Sequence, residues 1–276
     1  MNRLSISGIT IMIAFFLSTQ VFAQDSGQLK IPLTNPGQSG KLKVDINRGS
    51  ITIKGSNVSE VIINYRSMER KVKSKSKEET VNNEGLMKIS YHALDLEVYE
   101  KDNTVVVESE SWNRGVDLDI LVPKKFDLNL ETYNNGDIQV NDIVGEIEAE
   151  NFNGKITLQN ISGSVVAKTY NGAIVVTFDK VTPDTPMAYR NYNGKIDLSF
   201  PSTTKASFKM KSRQGEIYEG FGMEMLTSKI NSESERTKSG VYKVKVDNWV
   251  RGNINGGGPE ITIQSYNGNI FIRKGN

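Results

Sequence analysis

Glycine recurs every nine residues in the middle of this chain, between about 135 and 178. Two residues after each glycine comes a β-branched aliphatic residue, and the positions around it alternate between apolar and polar. Such alternation is typical of a strand with one buried face, and glycine is typical of the turn between strands. One strand and one turn are therefore repeated five times. The glycines are Gly136, Gly145, Gly154, Gly163 and Gly172, and the aliphatic residues are Ile138, Ile147, Ile156, Val165 and Ile174.

Only alternate glycines follow an asparagine, and these Asn-Gly pairs are 18 residues apart at first and then 22. The nine-residue unit is therefore half of a coil of about 18 residues with two unlike corners. Asparagine suits a corner because it tolerates left-handed backbone geometry and can hydrogen-bond neighbouring backbone. The predicted repeat corners are Asn135, Gly136, Asn153, Gly154, Asn171, Gly172, Asn193, Gly194, Asn267 and Gly268.

Two architectures place such strands side by side. Asn-Gly between alternating strands is a strong hairpin signal, so an antiparallel meander or sandwich is one alternative. A constant period, matched inward residues and the lack of helical stretches between units favour the other, a parallel β-solenoid. We predict an all-β chain: a parallel β-solenoid of about 18 residues per coil, preceded by a region of shorter, partly antiparallel strands.

The rest of the chain divides into a leader and two regions. A positive start, a short apolar run and a small-residue cleavage site make 1–23 a predicted secretory signal peptide. Residues 24–131 form an N-terminal β-strand region with a charged loop at about 66–84. Residues 132–276 form the repeat β-solenoid, with a polar insertion at about 222–240, and the last repeat indicates that strands close the array. We expect an exported protein, periplasmic or at the cell surface, without a transmembrane segment in the mature chain.

Composition excludes several kinds of chemistry. The chain contains no cysteine, which rules out disulfides and thiol catalysis. Its single histidine, His92, has no second histidine or cysteine with which to complete a zinc site, and a strand histidine is the simpler interpretation. A net charge of +2 does not indicate nucleic acid as a partner. We predict no catalytic residue, no metal and no cofactor.

Two charge patterns are candidates for binding. The carboxylate pairs Asp117/Asp119 and Glu146/Glu148 share the outer face of a strand, where they can bind calcium or act on a glycosidic bond. A solvated strand face is the simpler interpretation. A basic run is a candidate surface for an anionic polysaccharide or membrane, and a solvated hairpin loop is its alternative. The basic residues are Arg66, Arg70, Lys71, Lys73, Lys75 and Lys77.

Aromatic residues recur directly before the Asn-Gly pairs, as Phe152, Tyr170 and Tyr192. Exposed, such a series would stack on sugar rings. Facing inward, it would be a stack at the corner that contributes about 0.5–1.5 kcal/mol per ring pair. Phe152 aligns with Ile143 and Ile161 in the nine-residue register, so we predict the internal stack.

The repeats resemble a known family. Residues 254–261 (Ile-Asn-Gly-Gly-Gly-Pro-Glu-Ile) and 266–272 (Tyr-Asn-Gly-Asn-Ile-Phe-Ile), with the Asn-Gly-x-Ile copies, are similar to the DUF4097 family of bacterial β-strand-repeat proteins. Members of that family are often described as adhesins. The resemblance extends over most of the mature chain, including 49–53 and the strand at 116–122 that ends in Pro123. It implies a β-solenoid-like envelope protein and brings no established catalytic residues.

These features predict a protein that is not an enzyme. Its expected work is to present a β-solenoid surface for interaction at the cell envelope, as an adhesin-like or accessory protein whose partner is an envelope protein or a glycan. The alternative is a polysaccharide-binding or polysaccharide-cleaving β-helix protein, which would need acidic or basic residues converging in a cleft. A third interpretation is an accessory protein in envelope regulation.

Overall fold

The computed structural model describes residues 26–68, 94–182, 185–226, 232–236, 242–246 and 249–275. These residues form strands, turns and connecting segments, and none of them is in a helix. The prediction of an all-β chain is therefore confirmed. Within the described ranges, no helix is long and apolar enough to cross a membrane. The predicted signal peptide and most of the predicted charged loop lie outside the described residues.

The strands follow one another with short connections. The first are β1 (Ser26–Pro32), β2 (Gly40–Arg48), β3 (Ile51–Ser56), β4 (Glu60–Ser67), β5 (Leu96–Lys101), β6 (Thr104–Ser109), β7 (Val116–Pro123), β8 (Phe126–Asn134), β9 (Ile138–Asn141), β10 (Val144–Asn153) and β11 (Ile156–Asn171). The later ones are β12 (Ile174–Val181), β13 (Met187–Asn193), β14 (Ile196–Phe200), β15 (Ala206–Ser212), β16 (Ile217–Glu219), β17 (Glu224–Leu226), β18 (Ser232–Arg236), β19 (Tyr242–Val246), β20 (Val250–Ile254), β21 (Glu260–Asn267) and β22 (Ile270–Lys274).

Eight strands form a continuous parallel ladder, which we call the first face. Their order is β6, β2, β8, β10, β11, β13, β21 and β15. Between β10 and β11 the paired residues are 18 positions apart, as in Ile147 opposite Val165. The apolar alternation explains this register, because a slip of one residue would turn every buried side chain to solvent.

A second parallel ladder, the second face, has the order β7, β3, β9, β11, β12, β14, β22 and β16. Here Ile156 lies opposite both Ile138 and Ile174, again 18 positions away on each side. Strand β11 is long enough to belong to both faces. The two ladders are therefore part of one 20-stranded sheet of mixed strand orientation, which folds back on itself like a nearly closed barrel.

Antiparallel strands extend both ladders. In the N-terminal region β1 pairs with β4, β4 with β7, and β5 with β6. In the C-terminal half β20 pairs with β15 and β17 pairs with β20, while β18 and β19 form a separate two-stranded sheet. The boundary expected between 131 and 132 falls inside β8, and β2 and β3 continue the same parallel ladders as the repeats.

The C-terminal strands do not lie at the end of the ladders. β21 lies between β13 and β15, and β22 lies between β14 and β16. Strands do close the array, as expected, but they are not those of the last repeat. Tyr266 follows Tyr192 in the structure, although Arg213 comes earlier in the chain. In this position the Tyr266 ring continues the column of stacked rings that includes Tyr192, and Arg213 caps its end.

Inward side chains of both faces meet in a single hydrophobic core. The predicted inner-face positions are confirmed, since each is at most 2% exposed. Burial of one such side chain stabilises the fold by about 1.5–3 kcal/mol. The confirmed positions are Ile138, Ile147, Ile156, Val165 and Ile174.

The corner glycines are required by the close approach of successive repeats. A Cβ added to Gly154 would lie 2.0 Å from the carbonyl oxygen of Gly136, and one added to Gly172 would lie 2.0 Å from that of Gly154. At the opposite corner, a Cβ on Gly163 would lie 1.9 Å from the carbonyl oxygen of Gly145. Both unlike corners therefore pack glycine against backbone, which accounts for the nine-residue spacing.

We predict that Ile156→Asp strongly destabilises the fold, by at least about 4 kcal/mol, because the carboxylate would be buried without a partner. Thr157→Asp is the matched control, because Thr157 is partly exposed, and it should cost less than about 1 kcal/mol. Denaturant unfolding of both variants checks this. Equal midpoints would contradict the assignment of the inner face.

We predict that Gly172→Ala destabilises the fold by about 1–3 kcal/mol or more, because the added methyl group meets backbone that cannot move aside. Gly220→Ala is the control, since the nearest atom to its added Cβ is 3.6 Å away. Thermal unfolding should show a lower midpoint for the first variant alone. A Gly172→Ala protein with the midpoint of the parent would show that the coils can separate at this corner without cost.

Candidate interaction surface

The corner asparagines form a ladder of side-chain amides. The amide nitrogen of Asn171 donates to Oδ1 of Asn153 at 2.8 Å, and the amide nitrogen of Asn193 donates to Oδ1 of Asn171 at 2.7 Å. The column continues at both ends, from Asn153 to Asn134 and from Asn267 to Asn193. Each bond contributes a net stabilisation of about 0.5–1.5 kcal/mol.

Left-handed backbone is the wrong explanation for most of these asparagines. In the described residues, Asn135 has a positive φ of 57°, but the asparagines before Gly154, Gly172, Gly194 and Gly268 do not. Asn135 is the extra residue of the first corner, and its neighbour Asn134 occupies the amide column. Asparagine therefore recurs because its amide can donate to one coil and accept from the next.

Aromatic side chains form a second column beside the amides, which we call the aromatic ladder. It consists of Tyr133, Phe152, Tyr170, Tyr192 and Tyr266. Successive ring centroids are 4.5–5.0 Å apart and successive planes differ by at most 11°. This separation follows from the spacing of about 4.8 Å between strands of one ladder.

The predicted internal position of these rings is wrong. Tyr133, Phe152 and Tyr170 are 40%, 37% and 44% exposed, whereas Ile143 and Ile161 are fully buried. The nine-residue alignment failed because the two corners of a coil are unlike, and the isoleucines lie at the other corner. The ring lies one residue after an inward side chain on its own strand, so it points outward.

Small polar residues directly before the aromatic residues point into the core. Thr132, Asn151 and Thr169 are at most 3% exposed. Each donates a hydrogen bond to the carbonyl oxygen of a corner glycine, at 2.9 Å. Further along the column, Asn191 and Ser212 make the same kind of bond to Gly172 and Gly268, and Asn191 also donates to the carbonyl oxygen of Gly194.

Sequence reasoning did not identify this inward polar column. The available signal was a polar residue recurring at a position where alternation demands burial. These bonds fix the glycine corners from inside. They do so at a cost, because the buried atoms Asn151 Oδ1, Asn191 Oδ1 and Ser265 Oγ have no hydrogen-bond partner among the described residues.

A row of charged side chains runs parallel to the aromatic ladder on the first face, and we call it the charged row. Strand pairing brings its members together in the order Glu108, Asp45, Glu131, Glu150, Lys168, Arg190, Gln264 and Lys211. The first half is acidic and the second half is mostly basic. At the change of sign, Lys168 and Glu150 form a salt bridge.

Besides desolvation, repulsion between carboxylates in the acidic half of the charged row contributes to a raised pKa at Glu131. Desolvation is the main cause that raises the pKa of this carboxyl above its usual range, and the neighbouring Asp45 and Glu150 carboxylates raise it further. Lys168 opposes the shift but does not cancel it.

The second face carries a separate cluster around Asp197. Burial alone would raise the pKa of Asp197, but hydrogen bonds and charges from Arg273 and Lys195 outweigh burial and lower it. Arg273 donates two hydrogen bonds to Asp197, at 2.6 and 3.2 Å. Beside this cluster, Tyr218 stacks on Phe271 with centroids 5.1 Å apart. The cluster is an ion pair whose groups satisfy one another.

The other predicted candidates do not converge on a site. Asp117 pairs with Arg66 at 3.1 Å and also accepts a hydrogen bond from the backbone of Ser50. Glu148 accepts a hydrogen bond from Asn129. His92 and the rest of the basic run, Arg70, Lys71, Lys73, Lys75 and Lys77, lie outside the described residues. No group of three or more potential metal ligands occurs within the described ranges.

Comparison with known proteins gives a likeness in fold. No family model matches the chain and no curated protein matches it in sequence, so the resemblance to DUF4097 stays a prediction. The structure is similar to that of a putative cell adhesion protein from Clostridium sporogenes, with a TM-score of 0.50 and 11% identity. The match covers 91% of this chain and 99% of the other. At this identity the likeness shows a shared fold alone.

A second solved structure, of a putative adhesin from Bacteroides fragilis, matches with a TM-score of 0.26 and 12% identity, covering 90% of this chain and 95% of the other. So low a score carries no structural argument. The class supported here is an all-β protein that shares its fold with the Clostridium sporogenes protein.

We predict that Glu131→Gln raises the thermal midpoint at pH 7. The folded-state pKa of Glu131 is raised, so its protonation stabilises the fold fully below the unfolded pKa of about 4.3, and this stabilisation is lost as pH rises through the folded value. The advantage of the glutamine should therefore disappear below about pH 4. Glu224→Gln, an exposed residue outside the charged row, is the control. A lower midpoint for Glu131→Gln at pH 7 would contradict the repulsion.

Proposed function

We propose that this chain is an exported cell-envelope protein that presents an elongated β-solenoid surface for interaction, in the manner of an adhesin, and that it catalyses no reaction. The observation that carries the proposal is the aromatic ladder, which leaves a continuous series of rings partly open to solvent on one face. Contiguous apolar surface bordered by polar residues marks interaction sites on many proteins.

The strand pairing supports the solenoid. On both faces, residues of the central repeats pair in parallel with residues 18 positions away. The alternation of first-face and second-face strands along the chain corresponds to one strand per face in each coil. Later coils depart from this spacing: Ile174 pairs with Ile196, and Ile196 then pairs with Ile270. The proposed solenoid is thus regular in the middle and irregular near its C-terminal end.

The composition of the surface supports a binding role more than a catalytic one. Catalysis by side chains requires a nucleophile or an acid and a base that converge on one point. In the described residues, the carboxyl groups with shifted pKa values lie apart: Glu131 is on the first face, Asp197 is on the second beside Arg273, and Glu100 binds the backbone of Thr34 in the N-terminal region. Burial raises the pKa values of Tyr189 and Tyr192, both on the first face.

Export is supported by the predicted signal peptide at 1–23. The structural likeness to a putative cell adhesion protein is compatible with this placement. The DUF4097 resemblance of the repeats points to the same compartment.

The second candidate function is polysaccharide binding, with polysaccharide cleavage as its catalytic variant. A trough beside the aromatic ladder favours binding, because its lining combines rings with charged and amide side chains. Cleavage would need two carboxyl groups on either side of a bound sugar. A role in envelope regulation is compatible with the same surface. Binding of a protein instead of a glycan would identify that role.

The proposal is tested by sedimenting the purified mature chain with cell-envelope fragments of the organism that encodes it. We expect the double variant Tyr170→Ala/Tyr192→Ala to lose binding by about tenfold or more, because aromatic side chains dominate interaction energies. The matched control is Tyr218→Ala/Phe271→Ala, which removes a stacked ring pair from the second face. Circular dichroism verifies that both variants are folded.

Two results would contradict the proposal. Equal loss in both double variants, or no sedimentation of the parent, would show that the aromatic ladder is not an interaction surface. Release of reducing ends from envelope glycans by the parent protein would replace the non-catalytic function with an enzymatic one.

A further inference from the structure

A trough runs along the first face between the aromatic ladder and the charged row. It crosses β10, β11, β13 and β21 above Asn151, Thr169 and Asn191, and its cavity volume is about 370 Å³. The side chains on either side of an inward residue both point outward, so each strand contributes one residue to each bank. The aromatic bank is Phe152, Tyr170, Tyr192 and Tyr266, and the polar bank is Glu150, Lys168, Arg190 and Gln264.

The rings cannot stack on a ligand. Each inner ring has a neighbour 4.5–5.0 Å away on both sides, so both of its faces are occupied. At the ends of the ladder, Trp112 contacts Tyr133 edge to face, and the guanidinium of Arg213 lies 5.4 Å from the centre of the Tyr266 ring. Only ring edges and tyrosine hydroxyls remain for a partner. Neutral sugars that depend on stacking against an aromatic face are therefore poor candidates.

The electrostatics of the trough favour an anion. It begins at the change of sign in the charged row and continues over the basic half. Within the described part of the chain, Arg190 forms no ion pair or hydrogen bond through its guanidinium. Lys168 pairs with Glu150, but both side chains are about half exposed, at 55% and 47%, so the pair is worth little and Lys168 can turn to a ligand.

The shape of the trough favours a polyhydroxylated chain over a peptide. Its floor is the face of a sheet, whose backbone groups are already paired in the ladders, so a peptide lying in it would leave its own N–H and C=O groups without backbone partners. A sugar chain has no such obligatory pairing. Its hydroxyls can bond to the hydroxyl of Tyr170 on one bank and to the amide of Gln264 on the other.

We propose that this trough binds a linear acidic polysaccharide, with a sugar carboxylate held by Arg190 and a second by Lys168. The guanidinium matches a carboxylate through two parallel hydrogen bonds, which gives both affinity and orientation. The proposal rests on the proposed function, since it assigns a ligand class to the same surface.

The test measures binding of fluorescently labelled oligogalacturonate, and of its methyl ester of equal length, to the purified mature chain. The ester keeps the sugar chain and removes its charge. We expect the parent to prefer the acid about tenfold or more, and Arg190→Gln to weaken acid binding by about tenfold. Glu150→Gln should tighten it several-fold, because it removes a carboxylate and releases Lys168. Lys54→Gln, on the second face, should have no effect.

Three results would overturn the proposal. Equal binding of acid and ester would exclude charge recognition. Undiminished acid binding by Arg190→Gln would place the ligand elsewhere. Equally tight binding of a polyglutamate peptide, with the same dependence on Arg190, would assign the trough to acidic peptides. In one outcome, the parent sediments with envelope fragments, the Tyr170→Ala/Tyr192→Ala variant does not, and the parent does not bind oligogalacturonate. The acidic polysaccharide is then the wrong ligand class, and the proposed function stands. If the parent binds neither envelope fragments nor oligogalacturonate, the ligand class and the proposed function are both wrong.

Discussion

The structure depends on how closely one corner between paired strands can lie above the next. Parallel strands pair at about 4.8 Å, and at this distance the corner backbones meet as well. A carbonyl oxygen of one corner occupies the place where the next corner would carry a Cβ, as at Gly154 and Gly172. Glycine is the residue that permits the contact. Because glycines at both corners permit it, most residues of the central strands lie at a constant height above counterparts 18 positions away.

Columns of like side chains follow from that constant height. Amides donate to amides along the asparagine column, rings stack on rings, and inward hydroxyls and amides bind the glycine carbonyls. The same geometry also stacks like charges, which is unfavourable, and the raised pKa of Glu131 records that cost. The charged row relieves it by changing sign between Glu150 and Lys168. Stacking therefore shapes the surface as well as the core, because it turns rings edge-on and leaves a trough beside them.

Some of this organisation was predictable from the sequence. The all-β class and the inward positions Ile138 to Ile174 follow from alternation, which burial enforces on every strand. The side on which the aromatic ladder lies was not predictable from a nine-residue alignment, because the two corners differ in their contacts. The position of the last coil was also missed. Strands β21 and β22 lie between strands that come earlier in the chain, where Tyr266 and Asn267 continue the aromatic and amide columns.

By itself, the sequence determined the repeat, its period and the burial of the aliphatic residues that follow each glycine, because these are local consequences of alternation and of glycine at the corners. The tertiary structure alone decided the order of the coils and the neighbours of each outward side chain. Those depend on pairings between residues as far apart as Asn193 and Asn267, where hydrogen bonds and ring contacts between coils choose among strands of similar pattern. The trough between the aromatic ladder and the charged row exists only because of that choice.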